Sequence, residues 1–249
     1  MTTAEATAAV HGGPAPDPAR RSGTSLPAGP TPALERATTP LRIESRGSRA
    51  AKRCFDLLIG IPLLMLSLPL LAVLVVAVRL STPGPALFRQ RRPGRGGETF
   101  TIYKLRTMRV DAEDVLFADP ALYEEFVASG YKLPLDRDPR VTPVGRFLRR
   151  TSLDELPQLI NVVLGTMSLV GPRPVLLDQA EALYGDDIEL YFAVKPGMTG
   201  LWQVSGRSSL THEERAELDR QYVRCWTPAL DVVLLARTVP AVLAARGAY

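Results

Sequence analysis

The chain of 249 residues carries 30 Lys and Arg against 26 Asp and Glu, a net charge of +4 and a pI near 9.3. Such a balance favours an anionic partner without choosing among nucleic acid, anionic lipid and a phosphorylated substrate. The only cysteines, Cys54 and Cys225, lie far apart with no neighbouring histidine, which weighs against a disulfide scaffold or zinc site and indicates a reducing compartment; His11 and His212, the only histidines, weigh against a histidine base.

In chain order, residues 1–45 hold Pro14, Pro16, Pro18, Pro27, Pro30, Pro32 and Pro40 among small and polar residues. Too little apolar surface is available there to offset ordering, so a disordered tail is expected. It is not a signal peptide, because no apolar run follows its arginines until Phe55.

Residues 57–78, LLIGIPLLMLSLPLLAVLVVAV, contain no charge. As a helix they reach roughly 33 Å, enough to cross a bilayer core. Arg46, Arg49, Lys52 and Arg53 precede the run, and Arg79, Arg89, Arg91, Arg92 and Arg95 follow it. Basic residues on both flanks favour the cytoplasm at both ends, which a single crossing does not satisfy and a re-entrant helix does. Pro69 supplies the break, since it lacks a backbone donor and clashes with the preceding turn. Ser67 is placed to bond a freed carbonyl, and Pro62 offers a weaker second kink.

Beyond 80 the chain turns polar. The pattern predicts a strand at 99–105 and helices over 111–129, 143–150, 152–164 and 174–184. It also predicts a short strand at 201–204, a helix opened by Thr211 with a capping box at Glu214, and an amphipathic helix from Thr227-Pro228 to about 245. The expected class is mainly α with short β strands: a basic flank and re-entrant membrane helix (helix-break-helix) over 46–80, then a mainly helical, membrane-associated domain over 81–249.

Four stretches carry candidate chemistry. Ser152-Leu153-Asp154-Glu155 has the spacing of a helix cap, which also puts Asp154 at the positive end of a helix dipole, where its pKa is lowered. Adjacent carboxylates equally suit a divalent metal with one left to attack phosphorus. Gly171-Pro172-Arg173-Pro174 is either a turn with a solvated Arg or a rigidly held guanidinium for a phosphate. Lys104 and Arg106 share one face of a strand, to cradle a diphosphate or to meet lipid headgroups. The stretch 195–207, ending on Arg207, is either a hairpin or a phosphate-contacting loop.

Together these stretches closely resemble the bacterial sugar transferases, or monotopic phosphoglycosyl transferases, of the undecaprenyl-phosphate sugar phosphotransferase type. The resemblance runs from 52 to 207 through the apolar helix, PGPALFRQRRPG, YKLRTM, DPRVTPVGRFLRRTSLDELPQLINVVLGTMSLVGPRP and KPGMTGLWQVSGR. It implies a re-entrant helix in the bacterial cell membrane, a catalytic domain on the cytoplasmic face, and Mg2+ as cofactor. It implies a UDP-sugar and undecaprenyl phosphate as substrates: Asp154 attacks the sugar-side phosphate, UMP leaves, and the lipid phosphate collects the phosphosugar. Glu155 then holds the metal, and Lys104, Arg106, Arg173 and Arg207 neutralise the diphosphate. One departure is that Leu68, not a serine, precedes Pro69. The larger members' extra N-terminal membrane helices are missing, so the resemblance is to the minimal form.

The rival from another class is a catalytically silent, membrane-anchored scaffold of polysaccharide assembly, which needs no Asp154–Glu155 pair. Nucleic-acid binding is disfavoured, since no recognisable module or stripe of stacking aromatics is present. The sugar, the pathway and the oligomeric state have no signature in these residues.

Overall fold

In the computed structural model, which describes residues 41, 43, 45–129, 133–206 and 210–243, the apolar run lies inside one helix, α1 (Arg46–Ser81). The expected disordered tail, apart from positions 41, 43 and 45, and Arg207 lie outside the described residues. Ser45 starts α1 by accepting from the Ser48 N–H at 3.0 Å. The helix runs on through Pro62 and Pro69, and the Ser67 hydroxyl donates to the Leu64 carbonyl at 2.8 Å. At 1.5 Å per residue its length is roughly 54 Å. One stripe is buried at both ends, through Lys52, Asp56 and Gly60 and through Leu71, Leu74 and Val78. The opposite face leaves Leu58, Leu66, Leu70, Val73, Val76 and Leu80 exposed. So apolar a face without a protein partner matches a lipid environment better than water.

Two small sheets follow. β1 (Leu87–Pro93) and β2 (Thr99–Leu105) form an antiparallel hairpin, with Leu87 opposite Leu105 and Pro93 opposite Thr99. β2 has the predicted bounds; β1 was not anticipated, because its charged residues hide the alternation. β3 (Ser168–Val170) and β4 (Gly197–Thr199) pair in parallel. They approach so closely that a Cβ on Gly197 would lie 2.1 Å from the Gly171 nitrogen, so both positions need glycine.

Helices make up most of the rest. The expected single helix over 111–129 is two, α2 (Ala112–Ala118) and α3 (Pro120–Ala128), because Pro120 cannot continue α2 and Asp119 caps α3 instead. α4 (Pro143–Thr151) begins as predicted, Thr142 accepting from the Gly145 N–H at 2.9 Å. Ser152 does not open a helix: it sits in the left-handed region at φ 58° and ends α4, its N–H donating to the Leu148 and Arg149 carbonyls. A 3-10 turn, Leu153–Glu155, intervenes before α5 (Gln158–Leu164). Then come α6 (Leu177–Tyr184), α7 (Ile188–Phe192), α8 (Leu201–Ser205), α9 (His212–Cys225) and α10 (Pro228–Leu243). The strand expected at 201–204 is the helix α8, and the stretch from 195 is a parallel strand then a helix, not a hairpin; tertiary pairing with β3 overrides local propensity there. The Thr211–Glu214 capping box is formed.

The largest core gathers Ile102, Val162, Met167, Val170, Tyr222, Trp226 and Leu234. A second joins Leu71, Leu74 and Val78 of α1 to Leu105 and Leu148. A third holds Ala180, Tyr184, Tyr191 and Ala216. The base of α1 is pinned by a buried ion pair. Lys52 Nζ donates to Asp231 Oδ2 at 2.6 Å and to the Tyr222 hydroxyl at 3.1 Å, and Trp226 Nε1 donates to the same Asp231 oxygen at 3.1 Å. Asp56 accepts from the Ser168 hydroxyl and the Leu169 N–H, both at 2.9 Å, and so ties α1 to β3.

Candidate active site

α4 packs against the end of β2, where the Thr142 N–H donates to the Thr107 carbonyl at 3.0 Å. A Cβ on Gly145 would fall 2.0 Å from that same carbonyl oxygen, so only glycine allows the contact. The left-handed turn at Ser152 then reverses the chain, and the 3-10 turn presents Asp154 and Glu155 toward β2 and the loop after β3. The Ser152 side chain makes no cap bond, so the capping-box reading of Ser152 and Glu155 fails. Glu155 bonds elsewhere.

Its Oε1 accepts from Lys104 Nζ at 2.9 Å and from Arg173 Nη2 at 2.8 Å. Those cations arrive from 51 residues upstream and 18 downstream. Glu155 Oε2 and both oxygens of Asp154 have no hydrogen-bond partner among the described residues. The two neighbours therefore differ: Glu155 is clamped and Asp154 is unengaged.

Their ionisation separates accordingly. Burial raises the Glu155 pKa, but Arg173 and Lys104 outweigh it and hold the group down at about 2. Burial and the Glu155 charge push Asp154 up to about 6, against the pull of Lys104, Arg149 and Arg173. A helix dipole was expected to lower Asp154. A three-residue 3-10 turn gives little dipole, and burial dominates, with the adjacent anion next.

Of the predicted cations, Lys104 and Arg173 meet at Glu155 and Arg106 does not. The Arg106 guanidinium is buried and donates to the Thr82 and Pro83 carbonyls, closing the chain after α1. Arg149, not singled out by the sequence, lies in the last turn of α4 within electrostatic reach of Asp154, its Nε donating to Thr107 Oγ1 at 2.9 Å. Its position just ahead of the acidic pair was the available signal. Arg92 and Arg215 also lie within electrostatic range of Arg173, so the surroundings of the acidic pair are strongly cationic.

The profile of the family described as bacterial sugar transferase matches residues 47–245. The chain is 44% identical over 217 residues to the undecaprenyl-phosphate galactose phosphotransferase of Salmonella typhimurium, a match covering 84% of this chain and 44% of that protein. It is 43% identical over 203 residues to the exopolysaccharide production protein ExoY of Sinorhizobium fredii, 80% of this chain and 88% of that one. It is also 40% identical over 209 residues to the UDP-glucose:undecaprenyl-phosphate glucose-1-phosphate transferase of Escherichia coli K12, 81% and 41% respectively. The chain thus spans less than half of the Salmonella and Escherichia proteins and most of ExoY. With a family match that runs from the base of α1 through the acidic pair to the end of α10, this chain belongs to the bacterial sugar transferases.

Proposed function

We propose that the protein transfers a sugar 1-phosphate from a UDP-sugar to undecaprenyl phosphate, releasing UMP. The observation that carries this reading is the division of labour between neighbours: an unengaged carboxylate at Asp154 beside a cation-clamped Glu155. Paired groups whose pKa values are pushed apart are a mark of assigned acid–base or nucleophilic roles. The names of the relatives, a galactose phosphotransferase and a glucose-1-phosphate transferase acting on undecaprenyl phosphate, support the substrate classes.

In the first step an ionised Asp154 oxygen bonds to the sugar-side phosphorus. The bridging P–O bond breaks and its electron pair leaves with UMP. In the second step an oxygen of the lipid phosphate attacks the same phosphorus, the aspartyl P–O bond breaks, and Asp154 returns as carboxylate with the lipid diphosphate sugar formed. Lys104 and Arg173, held by Glu155, face the charge that builds on the transferring phosphoryl group, and Arg149 faces Asp154.

The unbonded Oε2 of Glu155, next to the Asp154 carboxylate, is a hard-oxygen donor of the kind that suits Mg2+ shared with substrate phosphates. Glu155, beside the attacking Asp154, would hold the ion, and when bound it supplies charge neutralisation at the diphosphate.

The membrane placement belongs to the same reading: α1 enters from the cytoplasmic face and returns to it, bending near Pro69. Support comes from its buried stripe, which packs at both ends on the same unit of the chain.

The test is UMP release by purified protein in nanodiscs containing undecaprenyl phosphate, with Mg2+ and a panel of UDP-sugars. Asp154→Ala is expected to lose turnover by about a thousandfold or more. Intact-protein mass after incubation with the UDP-sugar alone should show an added phosphosugar. Release that requires both substrates together would remove the covalent step, and no release with any UDP-sugar from folded protein would favour a silent scaffold.

A further inference from the structure

Arg173 acts only if its loop is held, and the parallel sheet cannot hold it. Strand pairing ends just before it: the Gly171 N–H donates to the Thr199 carbonyl and the Gly197 N–H to the Pro172 carbonyl, both at 2.8 Å. Pro174 then contributes no N–H. The Arg173 carbonyl and the Val175 N–H, on either side of that proline, are left to find partners in a half-buried stretch.

Both find the same one. The Tyr191 hydroxyl, on α7, donates to the Arg173 carbonyl at 3.1 Å and accepts from the Val175 N–H at 3.2 Å. A phenol has one proton to give and lone pairs to receive, so this bridge uses both capacities. The ring beneath it is fixed. It is buried, stacks on Tyr184 at 4.6 Å between centroids, and leans on Phe192 at 5.4 Å. Tyr184 is held in turn by donating to Asp219 Oδ2 at 2.7 Å on α9. The third core thus ends in a hydroxyl aimed at the backbone of the arginine that meets Glu155.

We propose that Tyr191 is a positioning residue for Arg173: its hydroxyl takes over from the interrupted strand ladder and sets where the guanidinium stands against Glu155 and the transferring phosphate. This rests on the proposed function for its kinetic consequences, while the clamp itself does not depend on it.

Tyr191→Phe keeps the ring and removes the bridge. The expected result is a ten- to hundredfold loss in kcat, with a smaller change in KM, since misplacing a charge-stabilising group weakens the transition state more than binding. In an Arg173→Ala background the same change should cost nothing further. Tyr184→Phe removes a hydroxyl from the same core without removing a bond to the loop, and is expected to change kcat far less than Tyr191→Phe.

Amide hydrogen exchange at Val175 reads the clamp without activity and should quicken in Tyr191→Phe but not in Tyr184→Phe. Additive losses in the double variant, or Val175 exchange as slow as in the parent protein, would each overturn the assignment. A parent protein that releases no UMP would count against the proposed reaction, and Val175 exchange would still decide the clamp.

Discussion

Asp154 and Glu155 are consecutive, yet their carboxyls are driven in opposite directions, Asp154 up to about 6 and Glu155 down to about 2. Burial is the larger cause at Asp154, and a second cause links the two shifts. Lys104 and Arg173 settle on Glu155 Oε1, and the anion they stabilise there then opposes ionisation of its neighbour. The sensitivity of the site to pH and to substitution follows from that arrangement.

Activity should climb through an acid limb near pH 6, because below it Asp154 is protonated and does not attack phosphorus. By pH 7 about nine-tenths of the group is ionised. Rate against pH at saturating UDP-sugar checks this; a limb near 4, the ordinary aspartate range, would contradict it.

Stability should respond with opposite sign at the two carboxyls. The folded pKa of Asp154 lies above its unfolded value of about 3.9, so its stabilising contribution is present at low pH and is lost as pH rises through 6. Asp154→Asn should therefore stabilise the protein by on the order of 1–3 kcal/mol at pH 8 and by little at pH 4. Glu155 lies below its unfolded value, so its contribution is present above about pH 4.5 and is lost as pH falls toward 2. Glu155→Gln should destabilise at neutral pH, with Lys104 and Arg173 left facing each other. Denaturation midpoints in detergent at several pH values decide both.

Lys104, near the end of β2, and Arg106, just beyond it, should separate cleanly. Arg106→Ala removes the guanidinium that satisfies the Thr82 and Pro83 carbonyls and is expected to cost about 1–3 kcal/mol of stability with modest loss of rate per folded molecule. Lys104→Ala should cost rate, by about a hundredfold, with a smaller stability change. Midpoints and initial rates on the same preparations distinguish them.

Lys52→Met leaves Asp231 buried without its cation and should destabilise by about 3–5 kcal/mol. Lys52→Met combined with Asp231→Asn removes both charges and should recover part of that loss. Thermal denaturation of the two variants is the comparison; equal losses would mean that the pair adds nothing to holding α1.

What the sequence determined by itself is local: an uninterrupted apolar run that forms α1, caps at Thr142 and Thr211, the strand over 99–105, and the adjacency of Asp154 and Glu155. Each of these depends on residues within a few positions of one another, where spacing and side-chain chemistry suffice. The partners of charged groups are another matter. Along the sequence Lys104 and Arg106 have equal claims on a phosphate, and packing sends one to Glu155 and the other to the backbone after α1. The same holds for Lys52 meeting Asp231 across 179 positions, and for residues 201–205 becoming helix once β4 has paired with β3. A charge can be satisfied by any opposite charge or carbonyl that the fold delivers, so only the tertiary structure decided which carboxylate was clamped and which was left to react.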